Sequence, residues 1–145
     1  MANQKNYIYD VFVSYRHKAP SMGWVRDILV PRLEADGFSI IIDYRDFRLG
    51  ATLINEMNRA VNNSRYTLAI LTPPYLRSGF TELESIMAEH TSLQQRQGRL
   101  ITIMREKCKP RLSMQTRLWL DMSNDAEFDV NFLKLAQELK MPSNP

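Results

Sequence analysis

The sequence predicts an α/β domain, a parallel sheet of about five strands with helices on both faces. Three observations lead there. Short apolar runs rich in aromatic and β-branched residues alternate with segments of helical period. One run, YTLAIL from Tyr66 to Leu71, is apolar nearly throughout, as a strand covered on both faces must be. The length of 145 residues suits one core, and 44% hydrophobic with 24% charged residues is ordinary globular usage.

Each element has its own reason. Tyr7 to Tyr15 (YIYDVFVSY) carries the residue types that favour a pleated surface, and Arg16, His17 and Lys18 end it. Ser21 is a cap for a helix with Val25, Ile28, Leu29 and Leu33 on one stripe. Pro31 lies within it and predicts a kink, and Gly37 is the C-cap candidate. Phe38 to Ile42 (FSIII) is a second strand ending at Asp43, and Tyr44 to Gly50 (YRDFRLG) is a charged loop. Ile54, Met57 and Val61 mark the next helix. Thr72-Pro73-Pro74 stops the third strand. A helix from about Ser78 to Arg96 follows, with Leu83, Ile86, Met87, His90 and Leu93 on one stripe; on that stripe His90 reads as a packed histidine. Leu100 to Met104 (LITIM) is a fourth strand and Leu118 to Asp121 a short fifth. Asn124 and Glu127 have capping-box spacing and open a last helix through Phe128, Phe132, Leu135, Ala136 and Leu139, ended by Pro142. The order is flavodoxin-like. Residues 1–6 and 142–145 read as tails around a domain spanning 7–141.

Composition excludes several function classes. Cys108 is the only cysteine, so no internal disulfide forms, and a reducing compartment is expected. With only His17 and His90 as histidines, no metal site of the usual Cys/His type is expected. The five glycines are too dispersed for a dinucleotide-binding fingerprint or a P-loop. The amino-terminal residues lack the apolar core of a signal peptide, and no apolar run approaches the ~20 residues of a membrane span. A cytoplasmic location without membrane contact in this segment is the expectation. A net charge of +3 is mild. The basic group Arg105, Lys107, Lys109 and Arg111 has no interleaved aromatics to stack bases and reads as a solvated loop, so no nucleic-acid partner is expected.

In open parallel sheets ligands bind outside the carboxyl ends of the strands. That rule selects Ser14, Tyr15, Arg16 and His17 after the first strand, Asp43 and the charged loop after the second, and Phe80 and Glu84 beyond the third. The residues at these places resemble those of the TIR (Toll/interleukin receptor) domain family. YDVFVSYRH, Tyr9 to His17, is similar to that family's first box. Asp43 to Phe80 is similar to its loop, helix and strand core, with the Asp-rich loop, Gly50 opening the second helix and Ser78 before the third. The similarity covers about Tyr9 to Met104.

Many members of the family cleave NAD+ between nicotinamide and ribose, with a catalytic glutamate four residues after a tryptophan. Here the pattern falls on Phe80 and Glu84, with phenylalanine in place of tryptophan. The resemblance therefore implies an NAD+ glycohydrolase or cyclase with Glu84 catalytic and Ser14, Tyr15, Arg16, His17, Asp43 and Phe80 binding the substrate. NAD+ is substrate and no cofactor is implied. It also implies self-association with other TIR domains, as a homo-oligomer or filament, through a loop containing Arg45, Asp46, Phe47, Arg48, Leu49 and Gly50. A role in immune or defence signalling is implied on the same ground.

The chemistry suits a single carboxylate. Nicotinamide departs from NAD+ as a neutral pyridine, so no general acid is needed, unlike most glycoside hydrolysis. Positive charge builds on the ribose, and an ionised carboxylate beside it favours the transition state over the ground state. Glu82 competes with Glu84. At about 100° per residue, Glu84 lies about 40° from Phe80 around a helix and Glu82 about 160° away, so a base stacked on Phe80 meets Glu84.

Plainer readings stand beside these. Thr81 and Glu84 also match a capping box. Arg16 and His17 equally suit a solvated loop, or a diphosphate held by the guanidinium fork. Asp43 either caps the next turn or touches ribose. Trp24 is core or interface. A non-catalytic adaptor acting through TIR–TIR contact is the alternative function. A phosphorylated receiver domain fits poorly, because the first strand ends in basic SYRHK where that chemistry wants an acidic pair.

Overall fold

A computed structural model describes residues 7–90, 100–109 and 118–141. Strand β1 (Tyr9–Ser14) leads into helix α1, which joins α-helical Ser21–Trp24, a π-helical turn Val25–Leu29 and α-helical Val30–Ala35. Then come β2 (Ile40–Ile41), a four-residue helix α2 (Asp43–Asp46), α3 (Leu53–Asn63) and β3 (Ser64–Leu71). Helix α4 joins a π-helical turn Tyr75–Gly79 to α-helical Phe80–His90. The rest is β4 (Leu100–Met104), β5 (Trp119–Asp121), a 3-10 turn Asp125–Glu127 and α5 (Phe128–Lys140). The expected continuation of α4 to Arg96, the break at Gly98 and the stop at Pro142 lie outside the described residues, as do Arg111 and the two tails.

All strands are parallel, in the order β2-β1-β3-β4-β5. The predicted α/β, flavodoxin-like fold is therefore present, with its order reversing between β1 and β3. The period of two along each strand sorts the core into two layers. Val11, Val13 and Tyr15 face one side with Tyr66, Leu68, Ile70 and Ile103, under α1 and α5. Phe12 faces the other with Ile41, Ala69 and Leu71, under α3 and α4. Among the described residues no helix is long and apolar enough to cross a membrane.

Several local expectations are corrected. Pro31 does not simply kink α1. The preceding turn widens instead, with the Val30 N–H reaching back five residues to the Val25 carbonyl. The Ser21 hydroxyl does not cap the helix; it donates to Glu106 at 2.5 Å. Asn124 does cap, accepting from the Ala126 N–H, but it opens a 3-10 turn ahead of α5. Gly37 takes φ +94°, the left-handed conformation that glycine adopts at least cost. Part of the charged loop is helical, and Trp24 is core. Arg105 is not solvated: its guanidinium lies 4.5 Å from the Trp24 ring centroid and bonds the Met122 carbonyl and Asp125.

Candidate functional site

Alternation along β1 sends Ser14 toward α4 and the next residue, Tyr15, toward α1. Both stand at the carboxyl edge of the sheet, where β1 and β2 end. A cleft of about 210 Å³ opens there. Its lining combines apolar Phe12, Val13, Phe47, Leu53 and Met57 with Ser14, Tyr15, Arg16, His17, Asp43, Tyr75 and Glu82. Five of the six substrate-binding candidates thus share one surface.

At the floor, the Ser14 hydroxyl lies 2.7 Å from the Tyr75 hydroxyl, and both residues are buried. Burial pushes the Tyr75 hydroxyl well above the usual phenol range. The Ser14 hydrogen bond opposes that, and the charges of Glu84 and, after it, Glu82 add to it. Glu82, in the first turn of the α-helical part of α4, and Glu84, two residues on, thus both bear on the Tyr75 hydroxyl. Glu82 lines the cleft; Glu84, the predicted catalytic residue, is half-buried and is not among the lining residues.

A second polar chain crosses the mouth. The Arg26 Nε donates to the Tyr15 hydroxyl at 2.8 Å, and that hydroxyl donates to Asp43 Oδ1 at 2.9 Å. The Tyr44 N–H donates to the same oxygen at 2.7 Å, and His17 Nε2 meets Asp43 Oδ2. Burial raises the Tyr15 hydroxyl above its ordinary range; Arg26 opposes this and Asp43 adds to it. Tyr15 accordingly stays protonated and remains a donor to Asp43. The Arg26 guanidinium also covers the Tyr44 ring, 4.2 Å from its centroid. Asp43 is thus tied to side chains at the mouth and also opens α2. Arg16 is exposed at the rim.

Phe80 does not line this cleft. Its ring is 2% exposed, in the core against Tyr75 at 5.9 Å between centroids. The physical reason is visible in the helical pattern: Phe80 lies three residues before Leu83 and extends the apolar stripe. The angular preference for Glu84 over Glu82 took Phe80 as its reference, so it loses its basis. The capping alternative for Glu84 turns on the side chains of Ser78 and Thr81, which lie outside the described residues.

The charged loop divides into anchors and a tip. Arg45 pairs with Glu34 at 2.9 Å and with Asp46, and its Nη2 donates to the Ile40 carbonyl at 3.0 Å. Asp46 accepts from the Ile42 N–H. Phe47 turns inward toward Phe12, 6.1 Å between centroids. Glu56 of α3, itself buried and paired with Arg59 at 2.8 Å, accepts the Arg48 N–H. Arg48, Leu49 and Gly50 remain exposed, Leu49 fully so, and Gly50 takes φ +86°.

The sequence reading missed Tyr75, Arg26 and the inward role of Phe47. Tyr75 sits in the Pro-rich stop after β3, where its ring alone carried no signal. A shallower depression along the same edge is lined by Pro20, Arg105, Glu106, Lys107 and Ser123. Two of its charges are engaged internally, Glu106 by Ser21 and Arg105 by Asp125. Among the described residues no three His, Cys, Asp or Glu side chains gather as a metal site.

Known proteins with this pattern agree on its family. The TIR domain family model matches residues 11–136. The chain is 31% identical to protein toll of Drosophila melanogaster over 102 residues, covering 69% of this chain and 9% of that protein. It is 32% identical to Toll-like receptor 13 of Mus musculus over 107 residues, covering 72% of this chain and 11% of that receptor. The chain thus spans only about a tenth of these relatives' length. In solved structures, the TIR domain of the Toll-related receptor TRR-2 from Hydra magnipapillata superimposes with a TM-score of 0.76 at 20% identity, covering 92% of this chain and 99% of that one. The chain belongs to the TIR domain family.

Proposed function

We propose that this domain cleaves NAD+ between nicotinamide and ribose when TIR domains associate, releasing nicotinamide and ADP-ribose or a cyclic isomer. The observation that carries this reading is the cleft at the ends of β1 and β2. There the buried hydroxyls of Ser14 and Tyr75 meet at 2.7 Å, and Glu82 lines the same cleft. The apolar lining residues suit the face of a pyridine base. The polar ones offer the groups that a ribosyl phosphate requires. Glu84 is the carboxylate that stabilises the ribosyl cation, on the family resemblance alone. The cleft is smaller than the roughly 300–1,000 Å³ of drug-sized sites, so one chain holds the nicotinamide-ribosyl half and a neighbouring TIR domain supplies the rest. The setting in this reading is cytoplasmic defence signalling.

A second reading, an adaptor without chemistry, draws on the burial of Phe80, which leaves no aromatic face where family cleavage enzymes carry tryptophan. Chromatography of NAD+ incubated with assembled protein separates the two. The cleavage reading expects nicotinamide release, a loss of about 100- to 1,000-fold in Glu84→Gln, and a loss below about tenfold in Glu82→Gln. Association that persists while NAD+ stays intact in every assembled form establishes the adaptor instead.

A further inference from the structure

We propose that His17, oriented by Asp43, accepts the proton of the oxygen nucleophile that captures the ribosyl cation, so that the product is oxygen-linked. This rests on the cleavage reading above. Asp43 is held from several directions before His17 meets it. One carboxylate oxygen accepts from the Tyr15 hydroxyl and the Tyr44 N–H, and the other faces His17 Nε2. Tyr15 is itself fixed by Arg26. In the neutral imidazole, a carboxylate acceptor at Nε2 places the proton there and leaves the lone pair on Nδ1. His17 lines the cleft, and its side chain is 47% exposed, so a proton taken there passes on to solvent.

The balance is simple. The C–N bond breaks and its electron pair leaves with neutral nicotinamide. The oxygen of water, or of a hydroxyl on the same dinucleotide, bonds to the anomeric carbon. Its O–H bond breaks and the proton passes to His17 Nδ1. The positive charge moves from ribose to an imidazolium that Asp43 stabilises. A ring nitrogen attacks with a lone pair and sheds no proton in the bond-forming step, so this base gives nitrogen-linked ring closure no advantage. Asp43 is the positioning residue and His17 the catalytic one.

The test uses the assembled full chain with NAD+, with and without added methanol, comparing wild type, His17→Gln and Asp43→Asn. The expected wild-type product is linear ADP-ribose or an oxygen-linked cyclic isomer, diverted by methanol to the methyl glycoside if water is the nucleophile. In both variants kcat falls by about 100-fold or more with KM nearly unchanged, and the double variant is no slower than His17→Gln alone. Wild-type rate and product ratio in His17→Gln overturn this inference while the cleavage reading stands. A nitrogen-linked wild-type product overturns it too. Absence of any cleavage by wild type ends both.

Discussion

The Ser14 and Tyr75 hydroxyls face each other across 2.7 Å at the bottom of the cleft, joining the last residue of β1 to the first of α4. Each is the other's side-chain partner, and both residues are buried. Removing one hydroxyl strands its neighbour. Tyr75→Phe is therefore expected to cost about 1–3 kcal/mol of unfolding free energy, and Ser14→Ala a similar amount. The double variant, which removes both polar groups, should cost clearly less than the sum. Urea denaturation of the four proteins gives the coupling.

Phe80 tests the difference between packing and stacking. Its burial beside Tyr75 predicts that Phe80→Ala loses about 3–5 kcal/mol of stability. Phe80→Trp forces a larger ring into a filled layer and should also destabilise, by about 1–3 kcal/mol. A thermal melt of the tryptophan variant matching wild type would show that the site has room the core packing denies.

Glu56 makes loop anchoring depend on pH. The Arg59 guanidinium, and after it the Arg48 N–H, hold its carboxyl below the ordinary carboxylate range. The unfolded chain therefore binds this proton more readily than the folded one. The contribution is full above the unfolded value of about 4.3 and is lost as pH falls through the lower folded value. The stability gap between wild type and Glu56→Gln should stay constant around neutrality and close below about pH 4.3. Thermal melts of the pair across that range measure it.

Leu49 gives the opposite behaviour. It is fully exposed beside Gly50, at the tip of a segment anchored through Arg45, Asp46 and Phe47. Leu49→Glu should leave the melting of the isolated domain within about 0.5 kcal/mol of wild type. If the loop mediates self-association, the same change should weaken it by tenfold or more in sedimentation velocity. An unchanged association constant would move the contact elsewhere.

The strands were legible because their runs are short, apolar and bounded by Pro, Gly and charge, and because alternation in β1 is unambiguous. The polar residues gathered at the cleft followed from the strand-end rule, which requires only that the strands be parallel. Phe80 was misplaced. The resemblance placed it beside the substrate, whereas within α-helical Phe80–His90 it lies three residues before Leu83, on the buried stripe. Spacing back from Leu83 would have found its burial. The chain from Arg26 through Tyr15 to Asp43 and His17 joins four residues 11 to 28 positions apart in pairs, and nothing local announces it. The Arg48–Gly50 tip was visible as charge and glycine, but its anchoring by Glu56 was not.

The guanidinium of Arg45 occupies the Ile40 carbonyl on β2, the outermost strand on that side. β2 is only two residues long, and the Ser39 carbonyl beside it is already spent on β1. A foreign strand seeking a template there meets a bonded carbonyl and a cation. Copies brought to high local concentration would thus find no free Ile40 carbonyl at this margin on which to extend the sheet.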